Sequence, residues 1–198
     1  MAKRYKQTPP NPADEAFNEG IAYLNANPIF APMLARVRVH RKESSAPVCP
    51  RDGWVVITQA GDLHVHPHRL ASPDEWEFLI AHCLLHLAFG HFQGHNNAAA
   101  WNAACDYYVT RFLHDLRLGT PHIDEVPTGY PRQEEALYHY LCDNGIPEEL
   151  QLLSTANVGG MDMMFADNPM LSFTSGDSWK AVFARGLMRV TISSTTTS

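Results

Sequence analysis

Two hydrophobic periods alternate along this chain. Phe17, Ile21 and Leu24 recur at helical spacing, as do Phe30, Met33, Leu34 and Val37, and they predict helices over 14–26 and 28–40. Residues 41–53 carry two prolines and read as a loop. The period then shortens to two. Trp54-Val-Val-Ile-Thr-Gln59 and Leu63-His-Val-His66 are β-rich runs around Ala60-Gly61-Asp62, the pattern of a hairpin. Ser72-Pro73-Asp74-Glu75 then opens an apolar helix: serine can cap, proline suits the first turn, and Glu75 completes a capping box. Gly90 is its natural stop.

A turn at 93–96 leads into a second long helix, predicted over 97–118. It bears an apolar stripe (Trp101, Cys105, Tyr108, Phe112, Leu116) and an adjacent polar one (Asn102, Asp106, Thr110). An irregular loop over 119–129, helices over 131–143 and 147–154, a weakly patterned loop over 159–176 and a last helix over 179–190 complete the reading. The expected class is α+β: a mainly helical domain with a small β-sheet packed on a central helix. Residues 1–12 read as a disordered leader, 13–190 as the domain and 191–198 as a polar tail. There is no internal repeat.

Composition narrows the function classes. The chain has 198 residues, enough for one domain with a real core, and 45% of them are hydrophobic. A formal net charge of −6 argues against a nucleic-acid or anionic-membrane partner. No run reaches the apolar length of a membrane span, and the N-terminus lacks the apolar core of a signal peptide. Cys49, Cys83, Cys105 and Cys142 form no C-x-x-C pair, so free thiols in a reducing cytoplasm are expected.

Histidine is the unusual residue, at 11. By chance roughly 0.6 H-x-x-x-H pairs are expected in such a chain, so spacing alone proves little. Context adds the rest. His82 and His86 lie one turn apart on one face of a nearly all-apolar helix, where two imidazoles can grip one ion. Asp106, on the polar stripe of the helix folded back beside them, is the best third ligand, with Asn102 one turn earlier placed to orient its carboxylate. His91 would face about 140° away from His86 unless the helix breaks at Gly90. The expected cofactor is Zn²⁺. The rival is a pair of core histidines, one merely paired with Asp106. His64, His66 and His68 share a strand face and offer a second metal site, although a solvent-facing strand explains them equally.

The His-Glu-x-x-His helix of zinc peptidases has a glutamate where this chain has Cys83. There the metal polarises the scissile carbonyl and the glutamate moves the proton. Cysteine is too short for that, and a thiol in apolar surroundings stays protonated. Three readings stay open. Cys83 is packing in a site that binds metal without proteolysis; another group (His95, Glu75 or a tyrosine) is the base; or the site has lost its metal.

The same residues resemble a known family, the bacterial metallopeptidase-like domains that occur with a C-terminal von Willebrand A-like domain and are often encoded beside MoxR-type AAA+ ATPases. The resemblance spans roughly 37–141. It rests on the strand pair ending His66-Pro67, the helix Ala81-His82-x-Leu-Leu-His86 closing in Gly90-His91, the run Trp101-Asn102-Ala-Ala-Cys-Asp106, and Glu134-Glu135-Ala-Leu-Tyr138. It implies a zincin-like fold, a metal on His82, His86 and Asp106, a protein or peptide substrate, and an AAA+ ATPase or von Willebrand A-like partner. The chain departs from the family at Cys83. It also ends in a Ser/Thr tail where longer relatives continue, so a short or truncated form is expected. The function expected first is a zinc-dependent metallopeptidase-like hydrolase; the alternative is a non-catalytic, metal-stabilised adaptor.

Overall fold

The helix that carries both histidines is buried on every side, and the rest of the molecule is arranged around it. In the computed structural model, which describes residues 11–42, 49, 52–165 and 176–195, with side chains of the last stretch only over 179–188, this helix is α3, Pro73–Phe89. Ser72 Oγ accepts from the Glu75 amide while the Glu75 carboxylate accepts from the Ser72 amide, so the capping box forms as read. Gly90, at φ 74°, ends the helix in the left-handed conformation that glycine adopts without strain. Phe78 to Ala88 is buried without interruption, as befits a helix with no polar face.

Around it lie α1 (Pro12–Ala26), α2 (Ala31–Leu34), α4 (Ala98–Leu116), α5 (Glu134–Asn144), α6 (Glu148–Gln151) and α7 (Gly176–Thr195). The strands are β1 (Arg38–His40), β2 (Val55–Thr58), β3 (Asp62–Val65) and β4 (Met163–Met164). They form one mixed sheet in the order β1-β3-β2-β4, with β2 and β3 antiparallel and both outer strands parallel to their neighbours. The architecture is α+β and mainly helical, with the hairpin packed on α3, as the sequence pattern implies. No helix among the described residues is long and apolar enough to cross a membrane.

Close packing sets α1 on α3. A Cβ on Gly20 would sit 2.7 Å from the Pro73 carbonyl oxygen and from Trp76 Cβ, so only hydrogen fits there. Phe17 meets Trp76 edge-on at 5.4 Å. The buried apolar residues fall into two clusters. One gathers α1, α2, the hairpin, α3, α7 and the second half of α4; the other joins the first half of α4 to Leu137, Leu141, Leu150, Leu153 and Met163.

Two expectations need correction. The helix predicted over 28–40 is only one turn, α2, and Arg38–His40 is a strand. Tertiary pairing overrides the local apolar spacing: Val37-Arg38-Val39-His40 alternates, the Arg38 amide donates to Gly61, and the Arg38 guanidinium grips both oxygens of Asp62 at 2.7 and 2.6 Å. The stretch expected to be a loop over 159–176 contains β4, which adds to β2; its residues 166–175 lie outside the described ones. At the ends, α1 already begins at Pro12 and α7 continues to Thr195. Residues 1–10 and 196–198 lie outside the described ones.

Candidate metal centre

Four side chains converge where α3 faces α4 and the segment before β4. His82 and His86 come from α3, Asp106 from α4 and Asp162 from the residue preceding β4. All four are buried, none more than 1% exposed. The polar stripe of α4 therefore faces inward: Asn102, Asp106 and Thr110 are buried. Asp162 is held from two sides. Its own carbonyl accepts from the Ile57 amide on β2, and its Oδ2 accepts from the Thr155 amide and hydroxyl at 3.1 and 3.0 Å. Thr155 is in turn stitched to β2, with its hydroxyl also directed at the Val55 carbonyl. Asp106 is anchored in the same manner, its Oδ2 accepting from Asn102 Nδ2 at 2.7 Å.

Each carboxylate thus has one oxygen bonded and one left over. Asp106 Oδ1, Asp162 Oδ1, His82 Nε2 and His86 Nε2 are buried and make no hydrogen bond. The residues offer one such atom each. His82 Nε2 lies 3.5 Å from Asp106 Oδ1 and 3.2 Å from Asp162 Oδ2, the oxygen that Thr155 holds, while His86 Nε2 lies 3.3 Å from Asp106 Oδ1 and 3.7 Å from Asp162 Oδ1. A tetrahedron with bonds of about 2.0–2.1 Å has edges of about 3.3–3.4 Å; the separations of both histidines from Asp106 Oδ1 are close to that, and one ligand atom from each of the four residues lies within 4.8 Å of the others. Two carboxylates also balance a divalent charge, leaving a neutral centre in a buried site. The set can hold a metal ion.

Without an ion the site is electrostatically awkward. Burial works to lower the pKa of His82, but the facing carboxylates of Asp106 and Asp162 outweigh it and lift the value to about 9. Burial and the charge of Asp162 push Asp106 up. Asp162, against the effect of burial, is held well below the ordinary carboxylate range by His86, His82 and the Thr155 amide. The two carboxylates thus favour a positive charge at this point, which a proton on His82 or a bound cation can supply. His82 Nδ1 is also buried without a partner.

Nothing matches this chain among protein-family models, curated proteins or solved structures. The site rests on its own geometry.

The remaining predicted residues fall as follows. Cys83 is fully buried, and its Sγ lies 3.5 Å from Thr155 Oγ1; burial and the charge of Asp162 hold its thiol well above the usual range. His95 is stacked on Trp101 at 3.7 Å with its nitrogens directed to Glu135 and the Gln93 carbonyl, so it is engaged away from the cluster. Glu75 is occupied in capping α3. On the sheet, His64 stacks on His40 at 4.9 Å, and His66 Nδ1 accepts the amides of His68 and Arg69 as a turn cap. Among the described residues these histidines do not converge as ligands; only His82, His86, Asp106 and Asp162 do. The four cysteines are free.

Two participants escaped the sequence reading. Asp162 sits in an apolar run after Gly159-Gly160, and its only local sign is a lone acid among methionines. His91, rejected as a ligand on helical geometry, is brought back because the helix does break at Gly90. Its amide donates to the His86 carbonyl, and its ring reaches His86. Burial pushes its pKa down. A cavity of about 140 Å³ lies beside the centre, against Asn102 and Asp106 and walled by Ala99, Ala103, Gly159 and Gly160.

Proposed function

We propose that the chain is a zinc-binding domain of zincin-like type whose ion is held by His82, His86, Asp106 and Asp162 and secures the fold, a metal-stabilised domain rather than an active peptidase. The observation that carries this reading is the set of four buried, unpartnered ligand atoms, one from each residue. Closed four-ligand sites are the structural kind, whereas catalytic sites keep one position open. No carboxylate comes from the helix position next to His82, and Cys83 is turned to Thr155. The resemblance to metallopeptidase-like domains supports the same frame: the histidine pair and Asp106 are kept and the base is absent. An AAA+ ATPase or von Willebrand A-like partner, which that resemblance implies, would engage the outside of the domain.

A second reading is a zinc-dependent hydrolase in which Asp162 serves as the proton-moving carboxylate and only three residues hold the ion. The cavity that Asp106 helps to line favours it, since it lies against the buried centre on that side. Cobalt substitution separates the two. The closed site gives a four-coordinate visible spectrum unchanged by azide or thiocyanate, one ion per chain, and no cleavage of an unstructured protein. A spectrum shifted by anions together with cleavage would establish the hydrolase. Absence of bound metal would remove both.

A further inference from the structure

We infer that His91 and Glu134 are positioning residues that fix the tautomer and orientation of His86 at the metal centre; this rests on the zinc-binding reading above. The argument begins with protons. If His86 presents Nε2 to an ion, its proton is on Nδ1. That nitrogen lies 3.0 Å from Nδ1 of His91. His91 Nδ1 must then accept, so His91 carries its own proton on Nε2. There it faces Glu134 Oε1 at 3.4 Å, which accepts as a carboxylate. One assignment of protons satisfies all three groups, and it leaves the lone pair of His86 Nε2 directed at Asp106 and Asp162.

The link is built rather than incidental. Gly90 turns the chain, the His91 amide is tied to the His86 carbonyl, and the His91 carbonyl accepts from the Trp101 indole at 2.8 Å. The ring is 3% exposed and edged by Phe89 at 5.6 Å and Trp101 at 6.1 Å, so it cannot swing away from His86. Glu134 stands in the first turn of α5, where a carboxylate is favoured by the helix dipole. His82 has no such support, since its Nδ1 lacks a partner among the described residues. The α5 N-terminus is thereby coupled to one side of the metal centre only.

Loss of an outer partner typically weakens metal binding about 10–100-fold. Zinc affinity, measured by competition with a chromophoric chelator, tests this in His91→Phe, His91→Gln, Glu134→Ala and the double variant His91→Phe/Glu134→Ala. Phenylalanine keeps the ring volume but has neither nitrogen; glutamine supplies an acceptor for His86 and a donor for Glu134. The expected result is a loss of about 10–100-fold for His91→Phe, near wild-type binding for His91→Gln, a smaller loss for Glu134→Ala, and a double variant no weaker than His91→Phe. The cobalt spectrum should shift in His91→Phe and return in His91→Gln. Equal affinities for the Phe and Gln variants would mean packing alone, and additive losses would mean Glu134 does not act through His91. Should His91→Phe fail to fold, wild-type affinity in Glu134→Ala overturns the link by itself. Wild-type protein that takes up no zinc overturns the metal reading and this inference together. Zinc binding that is indifferent to every variant overturns only the latter.

Discussion

Cys83 Sγ rests 3.5 Å from Thr155 Oγ1, and the same hydroxyl lies 3.0 Å from Oδ2 of Asp162. The place a glutamate at position 83 would reach is therefore filled by a threonine and another acid. The carboxylate missing from α3 is supplied to this region by a different part of the chain.

Cys83→Glu should consequently fail to create a peptidase. Its carboxylate would be buried against Asp162 with no cation to spare, at a cost of about 3–5 kcal/mol, the range for an uncompensated buried charge. Cys83→Ser, which keeps a group able to meet Thr155, should cost about 1 kcal/mol. Denaturant melts and a protein-cleavage assay check both. Cleavage by a well-folded Cys83→Glu variant would contradict the geometry.

Asp162→Ala should empty the centre. It removes a ligand and also the acceptor for the Thr155 amide and hydroxyl, so the loss in zinc affinity should exceed the about 10–100-fold of an outer-shell change. Asn102→Ala, which frees one oxygen of Asp106 but removes no ligand, should stay within that range. Metal analysis after dialysis against a weak chelator ranks the two. If Asp162→Ala retains a full complement of zinc, Asp162 is not a ligand.

Zinc binding should strengthen as pH rises. In the ion-free protein His82 holds its proton up to about pH 9, and that proton must leave before the ring can bind metal. The raised value also means that His82 protonation stabilises the ion-free fold fully below pH 6.5 and that this support is lost as pH climbs through about 9. The gap in melting temperature between zinc-loaded and chelator-treated protein should therefore widen from pH 6.5 toward 9. A constant gap would show that His82 titrates normally.

Strong acid should weaken the sheet edge. The Arg38 guanidinium bonded to Asp62 draws the Asp62 pKa down to about 2 against the opposing effect of burial, with His40 aiding it. A depressed carboxylate contributes stability above its unfolded value near 4, and that contribution disappears as pH falls from about 4 to 2. Since Arg38 is 63% exposed, solvent screening limits it to about 1 kcal/mol. Asp62→Asn should flatten the acid limb of the stability curve by that amount; an unchanged limb would assign the acid sensitivity elsewhere.

Much of this was legible where structure is local. The box at Ser72–Glu75, the stop at Gly90 and the turn at Gly61 are short-range devices whose residues state their own geometry. His82, His86 and Asp106 could be read together because helical spacing and one turn bring them to facing helices. Asp162 could not. Its position depends on β4 adding to β2 across a long stretch of chain, and a two-residue strand has no period to detect. Arg38–His40 was obscured for the same reason: its partner is β3, and apolar spacing nearby imitates a helix. The inward face of α4 was legible because its polar stripe lies beside the histidine pair, and Asn102, Asp106 and Thr110 are buried there.

The candidate ligands also have an order in time. His82, His86 and Asp106 belong to one helical hairpin, which forms from near neighbours, while Asp162 follows α6. A chain made from its N-terminus presents three ligands before the fourth exists. An ion can enter that open cup and then be shut in when the segment bearing Asp162 zips onto the rim of the hairpin. Escape of an ion held there would require the zip to reopen, so its lifetime should follow the fraying of a two-residue edge strand more than the strength of any single bond to the metal.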